Sequence, residues 1–132
     1  MELVVDASVL IAVLTGEATR DRLIARTHGA ELLAPGSVHW EVGNIFSALL
    51  KRRLLKLAEV QAALNAYGQI PIRFVEVELA AALELADRFG LYAHDAYVMA
   101  CARRQRAPLL TLDIRLGRAA REAGVEVLEV PT

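Results

Sequence analysis

Short apolar runs alternate with helical stripes along this chain, and the alternation predicts strands and helices in turn. Leu3-Val4-Val5 is an apolar run that stops at Asp6, which predicts a buried strand over 2–5. Ser8 is a good N-cap for a helix over 9–15. A second helix over 18–28 is stopped by Gly29, and 31–34 is a weak strand ended by Pro35-Gly36. Ser37 then caps a long helix over 38–53, with Val38, Val42, Ile45, Phe46, Leu49 and Leu50 at helical spacing. A helix over 58–69 stops before Pro71, and 72–77 is a third strand with alternation at Ile72 and Phe74. Helices over 78–89 and 94–105 follow, ended by Gly90 and by the approach to Pro108. The chain closes with a strand over 109–112, a helix over 115–123 ended by Gly124, and a last strand over 126–130.

Strands alternating with helices predict an α/β domain around a mostly parallel sheet. With 132 residues and no repeat, linker or low-complexity segment, the expectation is one domain over 1–132. In such sheets ligands bind outside the carboxyl ends of the strands, where the strand order reverses. Asp6 and Asp113 both leave the ends of apolar strands and therefore point toward that crevice.

Two further acids join them. Asp95 lies in the first turn of its helix with Val98, Met99 and Ala102 at i+3, i+4 and i+7, on the inward face. Glu41 lies three residues after Val38 and four before Ile45, on or beside the buried stripe. Each has an ordinary explanation alone: a helix cap, a first-turn acid, or a long side chain reaching solvent. Carboxylates at inward positions are costly unless compensated, and the sequence offers no matching set of inward Lys or Arg. One bound divalent cation, which prefers oxygen ligands, accounts for all four together.

Composition adds bounds. The chain is 55% apolar with few aromatics, so Leu, Val and Ala build the core, and the apolar surplus points to an oligomer or a protein partner. Net charge is −1, so any attraction to nucleic acid must come from local patches. Arg103, Arg104, Arg106, Arg115, Arg118 and Arg121 crowd the last third, and Lys51, Arg52, Arg53 and Lys56 sit at one helix end. The single cysteine, Cys101, lies among small apolar residues and is expected to be a buried hydrophobe. Glu2 and Asp6 interrupt the amino-terminal apolar stretch, which fits neither a signal peptide nor a membrane span, so a cytoplasmic location is expected.

Other chemistries lack their residues. There is no phosphate-cradling glycine loop, no G-x-S-x-G elbow, and no zinc spacing among His28, His39, His94 and one cysteine. An aspartyl-phosphate nucleophile at Asp6 would need a lysine late in the fold, and none follows Lys56. His94 beside Asp95 is either a proton shuttle or an ordinary surface histidine.

Val4-Val5-Asp6-Ala7-Ser8, Trp40-Glu41-Val42, His94-Asp95-Ala96-Tyr97 and Leu110-Thr111-Leu112-Asp113 together resemble a PIN domain across the whole chain, most of all the VapC-type toxins of toxin–antitoxin pairs. The resemblance implies a three-layer fold with a five-stranded parallel sheet, order 3-2-1-4-5, and helices on both faces. It also implies a Mg²⁺- or Mn²⁺-dependent endoribonuclease that hydrolyses RNA with a metal-activated water. Asp6, Glu41, Asp95 and Asp113 would be the acidic metal-binding quartet, with Asp6 and Asp95 as principal ligands and mutual repulsion raising at least one pKa in the metal-free protein. Ser8 and Thr111 would steady the carboxylates or a metal-bound water. Arg103, Arg104, Arg106, Arg115 and Arg118 would contact RNA, preferably unpaired. A homodimer and a small antitoxin partner are further expectations, with the helix over 38–53 as an interface. The competing readings are a housekeeping RNA-processing nuclease and a PIN-like binding module without catalysis.

Overall fold

The amino-terminal run Leu3, Val4 and Val5 has no solvent exposure at all, although alternate side chains on a strand face opposite ways. Both faces of the sheet are therefore covered where β1 (Glu2–Val5) runs, as in parallel sheets generally. The computed structural model describes residues 1–130 and orders its elements as α1 (Ala7–Leu14), α2 (Arg20–Thr27), β2 (Glu31–Pro35), α3 (Gly36–Lys51), α4 (Leu57–Tyr67), β3 (Ile72–Val75), α5 (Leu79–Phe89), α6 (Ala93–Gln105), β4 (Leu109–Leu110) and α7 (Ile114–Glu122). The last two positions of the expected 1–132 domain lie outside the described residues.

All strand pairings are parallel, and β1 lies at the centre. It pairs with β2 through Leu3–Leu32 and Val4–Leu33, and with β4 through Val4–Leu109 and Val5–Leu110. β3 extends the sheet beyond β2, giving the order β3-β2-β1-β4. The chain thus moves outward from β1 to β3 and returns to the other side of β1. The gap between β1 and β4 is where the order reverses. Helix α6 packs on β1 and β2 and also meets α3, α5 and α7, so its buried Ala96, Met99, Ala100 and Cys101 form the middle of one layer. Burial pushes the Cys101 thiol up to about 12, which fits a packing role.

The expected fifth strand is absent: among the described residues the sheet has four strands. The segment 126–130 does reach the free side of β4, but it makes a single rung. Leu109 donates to the Glu126 carbonyl at 2.8 Å and accepts from the Leu128 N–H at 2.9 Å. The limit lies in β4, which is two residues long and whose partner β1 ends at Val5, opposite Leu110. A strand that short cannot template a longer neighbour. The third strand also departs from expectation. Its ends, Ile72 and Val75, are the half-buried positions while Phe74 is exposed, as suits an edge.

Two cap assignments change as well. Asp6, rather than Ser8, is the N-cap of α1, and α1 begins at Ala7. Ser37 lies inside the first turn of α3, whose N-cap is Pro35. Among the described residues no helix is long and apolar enough to cross a membrane.

Candidate active site

A parallel sheet places the start of each following helix at the carboxyl edge of the strand before it. Here α1 follows β1, α3 follows β2 and α7 follows β4, while α6 also begins at that edge with Asp95 in its first turn. The helix amino-terminal ends carry partial positive charge, which favours anionic side chains. A cavity of about 170 Å³ lies among these ends, and Asp6, Ser8, Ser37, Glu41, Asp95 and Asp113 line it. Val38, Ile45 and Val98 supply apolar wall.

Asp6 is 7% exposed. Its Oδ1 accepts from the Ser8 hydroxyl at 2.6 Å and from the Val9 N–H at 3.3 Å, and its Oδ2 accepts from the Thr111 hydroxyl at 2.5 Å. Ser8 and Thr111 are themselves held. The Ser8 oxygen accepts from the Leu112 N–H and the Thr111 oxygen accepts from the Asp113 N–H, each at 3.0 Å. One continuous network therefore ties the end of β1 to the end of β4. Asp113 closes it as the N-cap of α7, accepting from the Leu116 N–H at 3.1 Å.

Burial raises the Asp6 carboxyl above the usual range; the hydrogen bonds from Ser8, Thr111 and Val9 act against it, and the charge of Asp113 adds to it. Asp95 is also raised, again chiefly by burial. There His94 and Arg115 pull down while Asp113 and Glu41 push up. The expectation that repulsion raises a carboxyl is thus corrected in its cause. Desolvation leads, and like charge is secondary. The Asp95 side chain is 16% exposed, and His94 Nε2 lies 3.4 Å from its Oδ1. Glu41 is half-buried on α3, whereas its neighbour His39 turns the other way to bond the Tyr67 hydroxyl at 3.0 Å.

The residues fit a hard divalent cation. Apart from the His94 imidazole the donors are oxygens, and the Ser37 hydroxyl is buried at the cavity with no hydrogen-bond partner among the described residues. No three His, Cys, Asp or Glu side chains among the described residues close into a ready-made cage. A cation that keeps most of its waters needs only one or two carboxylates from the protein.

The arginines divide into two groups. Arg115 and Arg118 edge a groove beside the cavity, and an Arg115 amino group donates to the Gly90 carbonyl at 2.6 Å. Arg103 and Arg104 lie eight and nine residues along α6 from Asp95, roughly 12–14 Å away at the helical rise. They border a groove shared with Glu78, Glu84 and Asp87. Arg106 is the left-handed C-cap of α6, and Arg121 pairs with Glu129 at 2.8 Å. Helix α3 turns Val38, Val42 and Phe46 inward, so the exposed apolar groups in its vicinity are Trp40 and, past its end, Leu54 and Leu57.

Sequence reasoning took Ser37 for a cap and passed over Tyr92, the exposed N-cap residue of α6. The position of Ser37 after a strand end, under the carboxyl-edge rule, could have flagged it. No sequence signal marks an aromatic as exposed.

No curated protein matches the chain in sequence. Among solved structures, PAE2754 from Pyrobaculum aerophilum is similar at 25% identity and a TM-score of 0.65, over 90% of this chain and 86% of that one. VapBC2 from Rickettsia felis, bound to a DNA fragment from their promoter, is similar at 12% identity and a TM-score of 0.68, over 97% and 98%. VapC20 of Mycobacterium tuberculosis, a sarcin–ricin loop cleaving toxin, is similar at 18% identity and a TM-score of 0.64, over 98% and 99%. The PIN domain profile matches residues 3–122, nearly the full length, and the chain therefore belongs to the PIN domain family.

Proposed function

We propose that this protein is a Mg²⁺- or Mn²⁺-dependent endoribonuclease and the toxin component of a toxin–antitoxin pair, acting in the cytoplasm. The observation that carries the reading is the gathering of Asp6, Glu41, Asp95 and Asp113 on one cavity at the reversal of strand order. Family membership and the likeness to two VapC structures support it.

Asp6 is the fixed member of the site. Ser8 and Thr111 hold both of its oxygens, so it cannot swing away from the cavity. Asp95, partly open at the cavity, is placed to take the proton from a water that attacks the phosphorus. The water oxygen bonds to phosphorus, the bond to one ribose oxygen breaks, and that oxygen leaves with a proton from solvent. Glu41 and Asp113 add negative charge that concentrates a cation at the cavity. The cation itself, held by Asp6 and Asp95, would supply Lewis acidity toward the phosphodiester. Arg115 and Arg118 are placed to receive flanking phosphates.

A small antitoxin and a second copy of the chain are the partners in this reading, with the exposed Trp40 and the neighbouring Leu54 and Leu57 as the apolar surface to cover. The test is cleavage of a mixed RNA pool with Mg²⁺, Mn²⁺ or EDTA, by the wild type and by Asp95→Asn. Metal-dependent cutting that drops at least about 100-fold in the variant is expected. A folded, antitoxin-free protein that cuts nothing under any metal would turn the reading toward a binding module.

A further inference from the structure

Tyr92 is 70% exposed and makes no side-chain hydrogen bond among the described residues. It is the N-cap residue of α6 but gives the helix no side-chain cap. Its ring lies parallel to that of His94, with 6° between the planes and 6.2 Å between centroids. His94 in turn lines the acidic cavity, and Asp95 follows it. On the other side of Tyr92 in the chain, Leu91 joins the 73% exposed Ile114 in walling the groove edged by Arg115 and Arg118. The Gly90 carbonyl pins Arg115. The turn from 90 to 94 therefore carries, in order, a fixed guanidinium, two parallel rings open to water, and the acidic cavity.

Folding gains little from aromatic faces left in water. What they present is a flat π surface, and unpaired nucleobases are the flat partners that such surfaces take in RNA recognition. The flanking charges fit the same ligand, since a nucleotide stacked there would have one neighbouring phosphate at the arginines and the other at the acids. We propose that the Tyr92–His94 pair is a stacking platform for one unpaired nucleobase next to the scissile phosphate, with Arg115 and Arg118 receiving the adjoining phosphate. The proposal rests on the nuclease reading above. It makes the substrate a strand whose base is free to leave its own stack, and it selects for that freedom rather than for a particular letter, because every base has a π face.

The experiment is binding of a fluorescently labelled ten-nucleotide oligouridylate, followed by anisotropy in Mg²⁺ with the Asp95→Asn protein to prevent cutting. Adding Tyr92→Ala should weaken binding roughly 5- to 100-fold, while Tyr92→Phe and Tyr92→Trp keep it. A ten-residue strand with the same backbone and every base removed should bind more weakly than the oligouridylate and show no sensitivity to the Tyr92→Ala substitution. Circular dichroism checks that Tyr92→Ala folds. Equal affinity with and without the Tyr92→Ala substitution overturns the platform, and if the wild type still cuts RNA, the platform alone falls. If Asp95→Asn binds no RNA and the wild type cuts none, the nuclease reading falls and takes the platform with it.

Discussion

Asp6 combines a burial penalty with three hydrogen bonds on one carboxylate, and the two effects have different pH signatures. Its pKa is raised in the folded, metal-free protein, so the fold holds the proton more tightly than the unfolded chain does. The associated stability is fully present below the unfolded value near 3.8 and is lost as pH rises through the folded value. Asp6→Asn has no such loss. The amide can keep Oδ1 on Ser8 and Val9, while its N–H group donates to the Thr111 oxygen once that hydroxyl rotates. In EDTA, the melting temperature of Asp6→Asn should exceed that of the wild type near pH 8, with the gap closing toward about pH 4. A gap that widens on acidification would show that burial does not dominate at this carboxyl. In Mg²⁺ the same variant should lose metal-dependent cutting. The place of Asp6 at the cavity was legible in the sequence because an acid ends an apolar run. Its capping role was not, because Asp and Ser are both good caps and only the backbone at Ala7 decides between them.

At the scale of the element, Asp113 has two roles that substitution can separate. It caps α7 through the Leu116 N–H and places a charge on the cavity. Asp113→Ala should lower stability by about 1 kcal/mol, a few degrees in Tm. Asp113→Asn should retain most of that stability yet still reduce cleavage. Equal activity in the Asn variant and the wild type would assign Asp113 to capping alone. Gly43 offers a contrast inside α3. It is exposed, and a Cβ built there meets nothing within 4 Å, so Gly43→Ala should stabilise by about 0.5–1 kcal/mol in thermal melts. The helices were legible from periodicity and glycine stops, with their ends moved by a few residues. The fifth strand was not, since its apolar residues say nothing about the length of the edge it must pair with. That edge, β4, is only two residues long.

For the whole molecule, a net charge of −1 means that RNA attraction has to be local. Arg118→Ala should weaken binding of a short oligonucleotide and reduce the salt slope by about 0.7, the value for one single-strand phosphate. Arg104→Ala, at the far end of α6, should leave the slope for the same short strand unchanged. Equal slopes in both variants would mean that the strand does not follow the Arg115–Arg118 groove. The crowding of arginines in the last third was visible in the sequence. Their division into two groups was not, because it follows from the direction in which α6 runs.

The network joining Ser8, Asp6 and Thr111 spans 105 positions of sequence, and that distance becomes an order of events when the chain is made from one end. Asp6 and Glu41 emerge early, but β4 comes after everything else in the sheet and must settle against the free side of β1 before Thr111 can reach Asp6. A growing chain that ends at Gln105 already holds three of its four acids and still lacks the strand that locks the first one in place. In order of synthesis the first acid is therefore the last to be fixed, since Thr111 reaches it only once β4 has joined the sheet.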